Sequence, residues 1–92
     1  MIKSFQHKGL EQFFSAGNKS GIQPAHAAKL GRILLRLDNA RRAEDMNLPG
    51  FKLHALKGSK KEFLSVWVNG NWRVIFRFDG KDAELVDYLD YH

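Results

Sequence analysis

Two kinds of hydrophobic spacing divide the chain. Phe5, Leu10, Phe13 and Phe14 fall on one apolar stripe, and Ser15-Ala16-Gly17-Asn18 is stop-and-turn chemistry, so a short helix is predicted from near Lys8. Pro24 opens a second helix. In it Ala27, Leu30, Leu34 and Leu37 recur at steps of three and four, which predicts one buried side as far as about Arg41. Lys29, Arg32 and Arg36 follow the same steps as a basic stripe on another side. Such a stripe is a solvated surface, a phosphate-tracking edge or a docking surface for an acidic partner protein. Arg41 to Gly50 reads as a mostly polar connection closed by Pro49-Gly50.

Beyond Gly50 the period changes to two. Phe51, Leu53 and Ala55 alternate with Lys52, His54 and Leu56 before Lys57-Gly58-Ser59-Lys60-Lys61 breaks the run. Glu62 to Val68 and Trp72 to Phe78 are rich in aromatic and β-branched residues, with the hairpin signal Asn69-Gly70 between them. A third run, Ala83 to Tyr88 or beyond, follows Asp79-Gly80. Helices followed by an antiparallel meander make an α+β fold, two N-terminal helices packed on a mainly antiparallel β-sheet.

Two-residue loops at those turns also predict which side chains share a face. With Asn69-Gly70 as the loop, Val68 faces Asn71, Val66 faces Arg73 and Leu64 faces Ile75. Trp67, Trp72, Val74 and Phe76 then form the opposite, core face. With Asp79-Gly80 as the next loop, the face of Arg73 and Arg77 carries Glu84, Val86, Tyr88, Asp90 and His92, and alternation adds Lys52 and His54. The expected outcome is a polar face gathering His54, Arg73, Asp90 and His92.

The length of 92 residues suits one domain spanning 1–92, and 43% hydrophobic residues fit an ordinary globular chain. Without cysteine, disulfides and Cys-based zinc sites are excluded. No stretch resembles a signal peptide or a membrane span, so the cytoplasm is the expected compartment. Charge alters the picture more. Residues 1–61 hold twelve basic and four acidic side chains, and residues 62–92 three basic and six acidic. That asymmetry points to a polyanionic partner such as nucleic acid.

Phosphate-cradling loops, dinucleotide fingerprints and nucleophile elbows are missing, and the histidines at 7, 26, 54 and 92 lack metal-pair spacing. No metal and no cofactor are therefore expected. General acid and base candidates beside fixed cations remain. They suit RNA cleavage by its own 2′-hydroxyl, which needs a base, positive charge on the crowded phosphate and an acid for the leaving 5′ oxygen. The ending Asp90-Tyr91-His92 offers carboxylate, aromatic ring and imidazole together, although a terminal histidine also occurs as decoration or a tag remnant.

Four pieces carry a resemblance: Met1-Ile2-Lys3-Ser4-Phe5, Lys52-Leu53-His54-Ala55-Leu56-Lys57-Gly58, Asn71-Trp72-Arg73-Val74-Ile75-Phe76 and Asp90-Tyr91-His92. Together, in order and over the whole chain, they resemble a HigB-type toxin of the RelE superfamily. The resemblance implies a RelE-like fold that cuts messenger RNA in the ribosomal A site. It also implies neutralisation by a cognate helix-turn-helix antitoxin. Catalytic roles carry over to His54, Lys57, Arg73, Asp90, Tyr91 and His92, and Lys52 and Asn71 are candidate RNA or phosphate contacts beside them. Many relatives have an arginine at the place of Trp67 or Asn69, and Arg77, Lys60 or Lys61 are the candidates to replace it. Glu62 stands where relatives often have glycine. A basic module that occupies RNA or the ribosome without cutting, and a homologue that has lost activity, are the alternatives.

Overall fold

The computed structural model describes residues 1–91. Helix α1 spans Lys8–Ala16 and α2 Ala27–Asn39. Strands β1 (His54–Ala55), β2 (Leu64–Asn69), β3 (Trp72–Asp79) and β4 (Asp82–Asp90) form one antiparallel sheet in chain order. The α+β expectation of two helices before a meander is what the chain adopts. Among the described residues no helix is long and apolar enough to cross a membrane.

Local chemistry explains the helix limits. His7 caps α1, its Nδ1 accepting the Leu10 N–H at 2.9 Å, and Gly17 ends it at φ 71°, the left-handed conformation that glycine adopts without steric cost. Pro24 starts a 3-10 turn, Pro24–His26, that runs into α2. Leu30, Ile33, Leu34 and Leu37 are buried from α2, each worth about 1.5–3 kcal/mol of apolar burial. They pack with Met46 and Phe51 against Val66, Val68, Val74, Phe76, Val86 and Tyr88 of the sheet.

One strand-like segment escaped the periodicity. Ile2 and Phe5 bridge in parallel to Ala83 and Val86, with the Lys3 N–H donating to the Ala83 carbonyl at 2.7 Å. The N-terminus thus covers the free edge of β4, which would otherwise be open to another chain.

Face assignment is where alternation misleads. Asn69 pairs with Trp72 and Asp79 with Asp82, so the loops are Gly70-Asn71 and Gly80-Lys81, each one residue later than expected. Gly70 (φ 56°) and Gly80 (φ 63°) take the positive φ that a type II′ turn requires at its first loop position. The β2–β3 ladder also slips at Val68, so Trp67 pairs with Arg73 and Val66 with Val74. Trp67 therefore lies on the Arg73 face and Val66 in the core, the reverse of the expectation.

A second slip has larger consequences. Arg77 pairs with Glu84 but Ile75 with Asp87, leaving Leu85 and Val86 opposite Phe76 alone. One extra residue inverts the alternation beyond it. Val86 and Tyr88 are consequently buried in the core rather than on the Arg73 face. Asp90, opposite Trp72 in register, moves with them. Leu85 takes φ 54°, a conformation costing about 1–2 kcal/mol, and its N–H is satisfied by Ser4 Oγ at 2.9 Å. Burying a valine and a tyrosine outweighs that cost at about 1.5–3 kcal/mol for each large apolar side chain.

Candidate functional site

On the sheet face away from the helices lies an open cavity of about 400 Å³ lined by Lys52, His54, Leu56, Ser65, Arg73 and Tyr91. A neighbouring recess of about 340 Å³ shares His54, Leu56 and Tyr91 and adds Ala55 and Lys57. Each polar lining group has a backbone reason for its place. His54 opens β1 opposite Ser65 and is solvent-exposed. Arg73 leaves the centre of the sheet, and its Nη1 donates to the Gly70 carbonyl at 3.0 Å and the Trp72 carbonyl at 3.1 Å. Two anchors on one nitrogen hold the guanidinium at the rim.

Tyr91 extends the β3–β4 ladder, its N–H donating to the Asn71 carbonyl at 2.8 Å, while its side chain remains 43% exposed. The bulge at Leu85 is what aligns Tyr91 with Arg73. Asn71 thus supports the site through its backbone. Leu56 and Ser65 are buried on the sheet side of the cavity, where the Leu56 N–H donates to the Phe63 carbonyl at 3.0 Å.

Not every expected residue joins this cavity. Lys60 lies over the Phe63 ring at 5.0 Å, in the 3-10 turn Gly58–Lys60, and Lys61 follows it, exposed. Arg77 donates through Nε to Glu84 at 2.6 Å and through Nη1 to Glu62 at 3.4 Å. It lines a separate recess with Glu62, Phe78, Asp79 and Glu84. Hydrogen bonding to Glu84 raises the Arg77 pKa above its ordinary value. Arg77 thus keeps the His54 face, through Ser65 and Ile75 in register, but a cation so neutralised and set in a separate recess is a poor phosphate clamp for the His54 cavity. Asp90 sits on the helix-side face of β4, outside the cavity lining, because the bulge reversed its side. His92 lies outside the described residues.

Sequence reasoning missed Trp67, Leu56 and Ser65. Leu56 and Ser65 left no signal, and alternation read without the bulge at Val68 assigns Trp67 to the core. Among the described residues the cavity lining contains no carboxylate, and no cluster of three metal-ligating side chains forms. Two cations, an imidazole and two hydroxyl groups around an open floor make an anion site with a proton-transfer group.

Comparison with known proteins agrees over the full length. The chain is 39% identical to the endoribonuclease HigB of Proteus vulgaris over 92 residues, covering 100% of both. It is 35% identical over 95 residues to toxin HigB-1 of Vibrio cholerae serotype O1, covering 100% of this chain and 98% of that protein. Residues 3–92 match the family described as the RelE-like toxin of type II toxin-antitoxin system HigB. A toxin of this kind implies a cognate antitoxin, and the chain belongs to the HigB-like toxins.

Proposed function

We infer that the chain is an endoribonuclease that cuts translated messenger RNA in the ribosomal A site and so halts translation. The observation that carries this reading is the cavity in which His54, Arg73 and Tyr91 meet beside Lys52 and Lys57. Full-length similarity to a relative named as an endoribonuclease supports the reaction class.

In the proposed reaction the 2′-hydroxyl loses its proton to a general base and attacks the adjacent phosphorus. The bond to the 5′ oxygen breaks, and a general acid protonates that oxygen. The products are a 2′,3′-cyclic phosphate and a 5′-hydroxyl, and the balance calls for no metal. Arg73 and Lys57 stabilise the extra negative charge of the phosphorane-like state. Asp90 and His92 share the proton transfers, with His54 assisting or orienting. Asp90 acts from the end of β4, one peptide from Tyr91, which stacks on or positions a base. Lys52, Lys60, Lys61 and Asn71 contact flanking RNA. A helix-turn-helix antitoxin is the proposed neutralising partner.

Primer extension on a translated message tests the reading. Wild-type protein should create new 5′ ends within codons, and His92→Gln should abolish them. Folded wild-type protein that arrests translation without new ends would overturn the nuclease assignment in favour of a binding module.

A further inference from the structure

The fold divides its cations into two groups. Lys3 pairs with Asp79 at 2.7 Å, Arg42 with Asp45 at 3.8 Å and Arg77 with Glu84 at 2.6 Å. Among the described residues, no ion pair involves Lys29, Arg32, Arg36, Lys52 or Arg73. Lys29 and Lys52 instead converge on one aromatic ring. Lys52 Nζ lies 4.3 Å and Lys29 Nζ 4.7 Å from the Trp67 ring centre. Lys29 also donates to the Gly50 carbonyl at 3.0 Å. Carbonyl and ring contacts fix an ammonium in place while leaving its full charge available to an anion.

We propose that Trp67, Lys29 and Lys52 form a second anion subsite, contiguous with the His54 cavity through Lys52, that takes a backbone phosphate of the RNA strand flanking the scissile linkage. The identity of the polyanion rests on the endoribonuclease reading.

Three features support the assignment. First, the subsite is mechanically joined to the cleavage pocket by the Gly70 carbonyl. It accepts from Trp67 Nε1 at 2.9 Å and from Arg73 Nη1 at 3.0 Å, so one backbone oxygen sets both side chains. Second, Lys52 is held at φ 51°, a left-handed conformation that a lysine does not adopt without compensation. Buried Phe51 anchors that corner, its carbonyl accepting the Trp67 N–H at 2.6 Å. Third, the cations crowd one another. Burial, then the charges of Arg32 and Lys52, lower the Lys29 pKa from its ordinary value. Clustered, unpaired positive charge is unfavourable until an anion neutralises it. Arg32 and Arg36, exposed on α2, continue the positive track along the strand's path.

The experiment measures the affinity of the full chain for a short, uncleavable 2′-O-methyl RNA strand by fluorescence anisotropy across a salt series. Lys29→Gln should weaken binding about threefold to tenfold and make the log–log salt slope shallower by about 0.7, the signature of one lost phosphate contact on a single strand. Trp67→Leu should weaken binding similarly, Lys29→Arg should restore most of it, and Lys3→Gln should match wild type. Circular dichroism confirms that Lys29→Gln is folded. Unchanged affinity and slope in folded Lys29→Gln overturn the subsite, as does failure of wild-type protein to bind the strand at low salt. A loss seen only with vacant small ribosomal subunits moves the contact to ribosomal RNA and also overturns it. Wild-type protein that cuts message while Lys29→Gln binds normally defeats the subsite alone. Wild-type protein that binds RNA and cuts nothing defeats the nuclease reading, and a Lys29→Gln loss under those conditions sustains the subsite.

Discussion

Replacing Arg73 by alanine separates catalytic from structural roles at a single side chain. Its Nη1 makes two hydrogen bonds, to the Gly70 and Trp72 carbonyls, and no ion pair among the described residues. Nε and Nη2 retain donors for a phosphate in the cavity. The Gly70 carbonyl keeps its Trp67 donor after the substitution, and the residue is only half-buried. Loss of the two bonds should cost about 1–2 kcal/mol of stability in total. At about 4–8 °C per kcal/mol for a domain of this size, melting falls measurably while the protein stays folded at 25 °C. The catalytic loss should be far larger, about 10²–10³ in cleavage rate or about 3–4 kcal/mol, because a preorganised charged donor to the developing phosphorane disappears. Arg73→Lys keeps the charge but cannot hold two carbonyls and a phosphate with the same fork, so its rate should fall between the two. Single-turnover cleavage on programmed ribosomes, with melting followed by circular dichroism, measures both quantities. Folded Arg73→Ala cleaving within about threefold of wild type would refute the role assigned to this guanidinium.

Other expectations follow from packing and charge. Tyr88→Phe removes the hydroxyl lying 2.7 Å from Nδ1 of buried His26 and should cost about 1–3 kcal/mol with cleavage retained; an unchanged urea midpoint would contradict this. Gly21→Ala brings a Cβ to 2.5 Å from the Gly9 Cα, a backbone atom, and should destabilise by about 1–3 kcal/mol. Gly31→Ala, in α2 with nothing near its new Cβ, should instead stabilise by about 0.5–1 kcal/mol, so equal shifts in the two variants would count against the packing described. The hydrogen bond between Lys3 and Asp79 raises the lysine pKa from its ordinary 10.5 and lowers the aspartate from 3.8. The aspartate's contribution is therefore present above 3.8 and lost as pH falls through its depressed folded value. The lysine's is complete below 10.5 and lost as pH rises through its elevated one. Asp79→Asn should flatten both limbs of the profile of urea midpoint against pH, and parallel profiles for the two proteins would show that the pair contributes nothing.

Periodicity and turn chemistry alone determine that this chain makes two helices and then a meander, because spacing of apolar residues and the conformations of Pro24 and Gly17 act within a few residues. The sequence also places Lys52, His54 and Arg73 on one face, since simple alternation and the two strand pairings β1–β2 and β2–β3 connect them. Where Trp67, Tyr88, Asp90 and Tyr91 fall is a different kind of question. It depends on extra residues at Val68 and Leu85, and those bulges are selected by competition between distant elements. Strain at Leu85 is accepted because Val86 and Tyr88 then meet the core that α2 supplies, and Ser4 is at hand for the stray N–H. Arg77 is drawn to Glu84 instead by the Gly80-Lys81 turn, which sets the two opposite each other on the hairpin side of the bulge. Period-two alternation is local, but an inserted residue reverses it according to burial energies that exist only once the layers have packed.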